Sequence, residues 1–453
     1  MPVLASTKAA FSKAAWGAYN RWRLGFGFRR ELAELTARLN GSREAILDFQ
    51  WRRLTKLLRH AYLTTPYYRT LFDAIKLHPD DIRTPQDLRH LPTLEKSTLQ
   101  TRLDDLKSTA IPVSKMKRNA TGGSSGTPVV FYQDRDYWNR RNLSVYYFDR
   151  WAGWDFGERQ LIIWGAQVDV SNARRLTNRV NNLWRNHWWL DGFDLSESVM
   201  ADAARRMGRW RPQTVLAYAS SLHLFSCYLE EHGLDARGWG VKGIISTAEM
   251  LHPHYRKAAE NAFGAKVYNR YGSREVGLIA MECSAGGLHL NCNDLFVEVD
   301  SPDPYTEPGD ILVTQLNNDA MPFIRYRIGD VGVLSDRVCP CGNQLPVLKD
   351  LLGRTTATFR TREGKLIHGG YFTQQFYRIQ SVKQFQLIQE SYDRCTLKLV
   401  VRTEFKATDA EPLVVKIQEA LGKQVDVQIE IVPSIPKPPS GKMAFTISRV
   451  NGG

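Results

Sequence analysis

The chain contains no apolar run of the roughly 18 residues that a membrane-spanning helix needs, so its 453 residues are expected to hold none. Six cysteines in that length are too few and too scattered for a disulfide framework, and with no secretory signal they point to a reducing, cytoplasmic setting. There is no internal repeat, and no low-complexity tract longer than Pro436-Lys437-Pro438-Pro439. Acidic residues are in deficit: 47 Asp and Glu against 61 Lys and Arg leave a net charge of +14, which favours polyanionic partners such as nucleotides, acyl-CoA or anionic lipid. The first thirty residues hold no acid at all, but carry Lys8, Lys13, Arg21, Arg23, Arg29 and Arg30 among Phe11, Trp16, Tyr19, Trp22 and Phe26 at helical spacing. Two readings of this basic amphipathic stretch stay open: peripheral membrane contact through residues 1–30, or a helix packed on its own domain.

What is present is enough hydrophobic sequence, 43%, for a large core and at least two domains. Residues 31–107 read as helical, most clearly over 44–62, where the proline at 66 ends the pattern. Between 119 and 350, strand-like runs at 160–165, 214–218, 241–246 and 266–269 alternate with helical stretches at 221–232 and 253–263. That alternation predicts an α/β domain with mixed, mostly parallel sheets and flanking helices, whose ligands bind at the carboxyl ends of strands. After Gly353-Arg354 the order is strand (385–389), strand (396–401), helix (411–421), strand (425–432), which predicts a small α+β domain. The expected division is 1–352 and 353–453.

The most informative stretch is Thr121-Gly122-Gly123-Ser124-Ser125-Gly126-Thr127-Pro128. Three glycines and four hydroxyl residues neither build a helix nor fill a core. They leave backbone N–H groups and hydroxyl donors free to close around an anion. The loop is neither a Walker loop nor G-x-G-x-x-G, and alone it reads equally as a flexible connector. Four further motifs follow in order: Ser246-Thr247-Ala248-Glu249 after a strand, Tyr271-Gly272-Ser273-Arg274-Glu275 after the next, Arg325-Tyr326-Arg327-Ile328-Gly329-Asp330 before a third, and Pro439-Ser440-Gly441-Lys442. Singly each has a plain structural explanation: a helix cap, a basic strand, a solvated lysine.

In this order and spacing, the motifs resemble the adenylate-forming superfamily of acyl-CoA synthetases, in its phenylacetate–CoA ligase-like and CapK-type branch. The resemblance implies that the loop from Thr121 to Thr127 holds the ATP phosphates, that Tyr271 lies against the adenine, and that Gly272 and Ser273 bind nucleotide beside it, Ser273 or the Arg274 guanidinium making the α-phosphate contact. It implies further that Glu275 binds Mg²⁺, that Glu249 stands near the nucleotide, and that Asp330 takes the ribose hydroxyls. Lys442, on a mobile C-terminal domain, would bridge carboxylate and α-phosphate, and Gly353-Arg354 would be the hinge. Ile367-His368-Gly369-Gly370 would be a loop that swings in for the second half-reaction. Two departures stand out. No lysine accompanies the loop, Thr127 and Val129 occupying its place, and Arg274 stands where a threonine is usual.

The activity so implied is ATP-dependent: a carboxylic acid becomes an acyl-AMP with release of pyrophosphate, and the acyl group passes to CoA. Alternatives are transfer to an amine, such as an amino sugar in polysaccharide biosynthesis, or a basic zinc-bearing binding protein without catalysis. Nucleic acid is not expected as a partner, and a homodimer is left open.

Cys339-Pro340-Cys341-Gly342 is a tight two-thiol knuckle, and Cys283 lies six residues before His289. Together these four side chains have the donors for a tetrahedral structural Zn²⁺ shell, with Cys292 a competitor for one place and ordinary reduced cysteines the plainer reading. Trp151, Trp154, Trp164, Trp184, Trp188 and Trp189 suit either an acyl pocket or core packing.

Overall fold

The computed structural model describes residues 27–120, 129–164, 182, 185–192, 194–354, 358–364, 366–368, 371–372, 379, 381–436 and 445–450. The chain opens with three helices, α1 (Phe28–Leu39), α2 (Arg43–Thr64) and α3 (Pro66–Ala74). Ser42 caps α2 by accepting the Ala45 N–H at 3.2 Å. Pro66 both stops α2 and opens α3, since its missing N–H costs nothing in a first helical turn. Phe28 is buried against Tyr146 and Phe156, so the chain packs on its own domain from there on, and the basic stretch up to residue 26 lies outside the described residues.

A two-stranded hairpin, β1 (Lys117–Ala120) and β2 (Val130–Gln133), leads into α4 (Arg135–Asp149). The main sheet then assembles from β3 (Gln160–Trp164), β4 (His187–Asp191), β5 (Thr214–Tyr218), β6 (Gly243–Thr247) and β7 (Lys266–Ser273), interleaved with α5 (Glu197–Trp210), α6 (Ala219–Glu231) and α7 (Pro253–Phe263). These five strands pair parallel in the order β4-β3-β5-β6-β7. From β7 the sheet continues antiparallel through β8 (Gly277–Glu282), β9 (Leu288–Leu290), β13 (Val347–Arg354), β12 (Tyr326–Leu334), β11 (Gly309–Gln315) and β10 (Leu295–Asp300), eleven strands in all. Both faces of the parallel half are covered: Leu161, Val215, Ala217 and Ile244 pack under α5, α6 and α7, while Ile162, Leu216 and Ile245 join the core shared with α1 to α4. Burial on both faces is why these strands read as unbroken apolar runs.

Beyond β13 lie a short hairpin, β14 (Thr358–Arg360) and β15 (Leu366–His368), and a sheet of β16 (Val382–Ser391), β17 (Arg394–Val401), β18 (Asp426–Ile431) and β19 (Thr446–Ser448) in the order β18-β17-β16-β19. α8 (Glu411–Leu421) covers that sheet, and Phe385, Leu387, Leu397, Leu413 and Ile417 form a core of their own. Among the described residues no helix is long and apolar enough to cross a membrane.

Several boundaries differ from the sequence reading for one reason. Tyr271, Gly272 and Ser273 belong to β7, and Asp330 to β12, because antiparallel partners β8 and β13 keep hydrogen-bonding these polar residues where the sequence suggests a turn. Ile367 and His368 likewise lie in β15, paired with β14, and not in a loop.

Candidate functional site

β7 ends at the carboxyl edge of the parallel half-sheet, where α/β ligands gather, and two of the expected site residues meet there. The Tyr271 hydroxyl donates to Asp330 Oδ2 at 2.7 Å, although 59 residues separate them. Both are buried, at 8% exposure each, so few waters reach the carboxylate and this donor helps to fix its orientation. Across the sheet Asp330 is in register with Arg354, which places the expected hinge on the adjacent strand.

Ser273 and Gly277 face each other across the β7–β8 turn that carries Arg274 and Glu275. The turn is fastened twice: the Ser273 hydroxyl accepts the Val276 N–H at 3.3 Å, and the Glu275 carbonyl accepts the side-chain amides of Gln315 at 2.8 Å and Gln133 at 3.5 Å. Gln133 and Gln315 are site-building residues that sequence reasoning missed; a glutamine that holds one carbonyl leaves no pattern to read.

Glu249 stands on another strand end. Its carboxylate accepts the backbone N–H of Ser220 at 2.8 Å, in the first turn of α6, where a negative charge is favourable. Ala248 before it has φ +70°, a left-handed conformation that costs a non-glycine residue free energy and aims this turn. Arg325 and Arg327 are structural. Arg325 forms a buried pair with Glu298 at 3.2 Å, and Arg327 bridges Glu95, Asp300 and Asp310. The loop Thr121 to Thr127, and Lys442, lie outside the described residues.

The tryptophans separate. Trp154 is core and Trp151 packs edge-on to His289, whereas Trp164 stands 4.8 Å from Tyr218 and 6.3 Å from Trp189 at the strand ends. Trp188 meets Trp210 of α5 on the other side of the sheet, and Trp184 is outside the described residues.

The four expected metal-binding side chains do converge. The ligand atoms of Cys283, His289, Cys339 and Cys341 all lie within 4.8 Å of one another, and Cys292 is not among them. Cys283 Sγ is 3.6 Å from Cys339 Sγ, and Cys341 Sγ is 3.3 Å from His289 Nε2. A tetrahedral shell with Zn–S near 2.3 Å and Zn–N near 2.0 Å puts sulfurs about 3.8 Å apart and sulfur and nitrogen about 3.5 Å apart, so the spacing fits. His289 Nδ1 lies 3.2 Å from the Leu345 carbonyl; a proton held there leaves Nε2 bare toward the thiols, the orientation a ligating histidine needs. Burial, only partly offset by that carbonyl, holds the imidazole below its ordinary pKa and thus neutral. Burial also pushes the Cys341 thiol up to about 12, helped by its Cys339 and Cys283 neighbours. At Cys339 burial acts upward too, but the backbone N–H of Cys341 and the Cys283 thiol outweigh it and hold it below the usual thiol range. Gly287 makes the room: a Cβ there would stand 2.6 Å from Cys339 Sγ.

The fold is the one seen in adenylate-forming ligases of known structure. A crystal structure of 2-hydroxyisobutyryl-CoA ligase in complex with R3-HIB-AMP superposes with a TM-score of 0.71 over 89% of this chain and 90% of that one, at 19% identity. The chain is also similar to proteins of the phenylacetate–CoA ligase-like, CapK-type branch. The family profile of the CapK C-terminal domain matches residues 359–449. Protein CapK of Staphylococcus aureus is 22% identical over 423 residues, 89% of this chain and 90% of that protein. The phenylacetate–coenzyme A ligase of Escherichia coli K12 is 28% identical over 300 residues, which cover 62% of this chain and 65% of that enzyme.

Proposed function

We propose that the chain is an ATP-dependent carboxylate ligase that forms an acyl-AMP and then passes the acyl group to CoA. The observation that carries this reading is the buried Tyr271–Asp330 pair beside the Glu275 turn at the carboxyl edge of the parallel strands. The likeness to phenylacetate–CoA ligases supports it.

In the first half-reaction a carboxylate oxygen attacks the α-phosphorus, and the bond to the β-phosphate breaks as pyrophosphate leaves. In the second, the CoA thiolate attacks the acyl carbonyl, AMP leaves and the thiol proton passes to solvent. Asp330 would accept both ribose hydroxyls while Tyr271 fixes its rotamer, and two charge-assisted bonds to a diol hold the sugar through both steps. Tyr271 would lie against the adenine with Gly272 beside it, Ser273 or Arg274 would contact the α-phosphate, and Glu249 would stand near the nucleotide at the end of β6. The N–H and hydroxyl groups from Thr121 to Thr127 would take the phosphates. Lys442 would meet the negative charge that grows on phosphorus only in the transition state, which is where such a cation accelerates most. Glu275 is the hard oxygen donor suited to Mg²⁺, which would neutralise polyphosphate charge.

Residues 1–352 are assigned to ATP and acid binding, and 353–453 to a mobile domain that carries Lys442. The Cys283, His289, Cys339 and Cys341 shell is assigned to one structural Zn²⁺ that ties the β8–β9 turn to the knuckle ahead of β13. ATP–pyrophosphate exchange over a panel of carboxylic acids, followed by mass detection of CoA thioesters, tests the reading. Exchange with at least one acid is expected; an absence of both exchange and ATP binding overturns it.

A further inference from the structure

On α4 the buried Tyr137, Ser144 and Phe148 share a face with the half-buried Arg141, at spacings of four, three and four along the helix. An arginine so placed is costly unless an anion balances it. Among the described residues Arg141 has no carboxylate within ion-pair distance, and its Nε is buried with no hydrogen-bond partner. The nearby acids are otherwise engaged: Asp134 accepts the N–H groups of Tyr137, Asp319 and Ala320, and Asp294 accepts Asn291, Asn293 and Asn317. Trp138 lies flat enough to hold the guanidinium at 5.3 Å and Lys117 at 4.0 Å, which gathers two cations at the root of the β1–β2 hairpin.

The Arg141 side chain packs beside the β7–β8 turn. Its Nε lies beside Gly277, where a Cβ would come 3.2 Å from both Arg141 Nε and Tyr137 Oη, and Gly277 has φ +84°, a backbone conformation that favours glycine. Gly277 pairs with Ser273 and follows Glu275 by two positions. Tyr137 lies between, within electrostatic range of both Arg141 and Glu275. From Asn119 to Asp134 the chain has no lysine or arginine to meet phosphate charge.

Resting on the ligase reading above, we propose that Arg141 is the residue that binds the pyrophosphate portion of ATP, in place of a cation in the glycine–serine loop. A guanidinium suits this task because its fork bonds two phosphate oxygens at once.

Calorimetry with ATP, AMP and inorganic pyrophosphate tests this without knowledge of the acid. Wild type is expected to bind ATP more tightly than AMP. Arg141→Gln should lose roughly ten- to a hundredfold in affinity for ATP and pyrophosphate while AMP affinity and melting temperature hold. Arg141→Lys, which keeps the charge, should recover part of the gap and guards against a folding defect in the glutamine variant. An unchanged ATP preference in Arg141→Gln, or equal loss of ATP and AMP affinity in both variants, overturns the assignment but leaves the ligase reading standing. Failure of the wild type to bind any of the three ligands overturns both.

Discussion

Asp330→Asn is the sharpest single perturbation of the candidate site. Asparagine keeps the size and planarity of the side chain, gives up the charge and turns one acceptor into a donor. The Tyr271 hydroxyl, 2.7 Å away, keeps an oxygen to bond, so the fold should survive. What is lost is one of the two ribose acceptors and the ionic character of the other. A hydrogen bond to a charged group contributes about 1.5–3 kcal/mol, and both residues are 8% exposed, so solvent replaces little of it. At about 1.4 kcal/mol per decade, the expected loss of affinity is roughly ten- to a hundredfold. Because the ribose belongs to every nucleotide in the cycle, ATP, AMP and acyl-AMP should weaken alike, the reverse of the ATP-selective loss expected at Arg141. Calorimetry beside a melting curve reads this directly. Unchanged affinity in a natively folded variant would remove Asp330 from the site. Weakening confined to ATP would move it from the ribose to the phosphates.

Lys442→Ala should lower adenylation about a hundred- to a thousandfold and spare thioester formation from pre-formed acyl-AMP; equal loss of both half-reactions in a folded variant would refute its role. Protein purified without chelator or affinity tag should carry about one zinc per chain, and Cys341→Ser should lower metal content and melting temperature more than the rate of the folded fraction; little zinc at full stability would make these cysteines bystanders. Acid should destabilise the chain between pH 6.5 and about 4. Burial first, then Arg402 at His223, His223 at His252, and His223 and His252 at His254, holds the three imidazoles near 4, 4 and 3 against an ordinary 6.5. The unfolded chain therefore takes up protons first, at a cost of at most about 1.4 kcal/mol per histidine and pH unit, and equal unfolding free energies at pH 7 and 5 would refute this.

How far the sequence could be read depended on whether the information was local. The helix from Pro253 to Phe263 was legible to the residue because proline opens it and Gly264 closes it. The strand at 266–269 was read four residues short, since nothing local says that β8 will fold back to pair with Ser273. The metal-type cluster could be proposed from a Cys-Pro-Cys knuckle and a nearby Cys and His, but excluding Cys292 required the fold. Cys292 is one residue from Asn291 and three from His289, yet it turns into the core near Gln50 and Arg43.

The Tyr271–Asp330 pair marks the limit of motif reading, and Arg141 lies beyond it. Tyr271 and Asp330 stand in motifs whose order suggested a shared nucleotide, so their proximity could be expected, but the hydrogen bond between them came from the fold. Arg141 stands in no motif. In sequence it is one of three arginines, with Arg135 and Arg140, along a helix of weak amphipathic character, and charge on such a helix usually means a solvated face. Only the register of α4 against β8, set by Tyr137 and Phe148 in the core, brings Arg141 Nε beside Gly277 while Arg135 and Arg140 line a cavity with Lys115 and Asp319. A substitution within a motif is visible as a missing residue. Compensation from another element appears only once packing brings the two together.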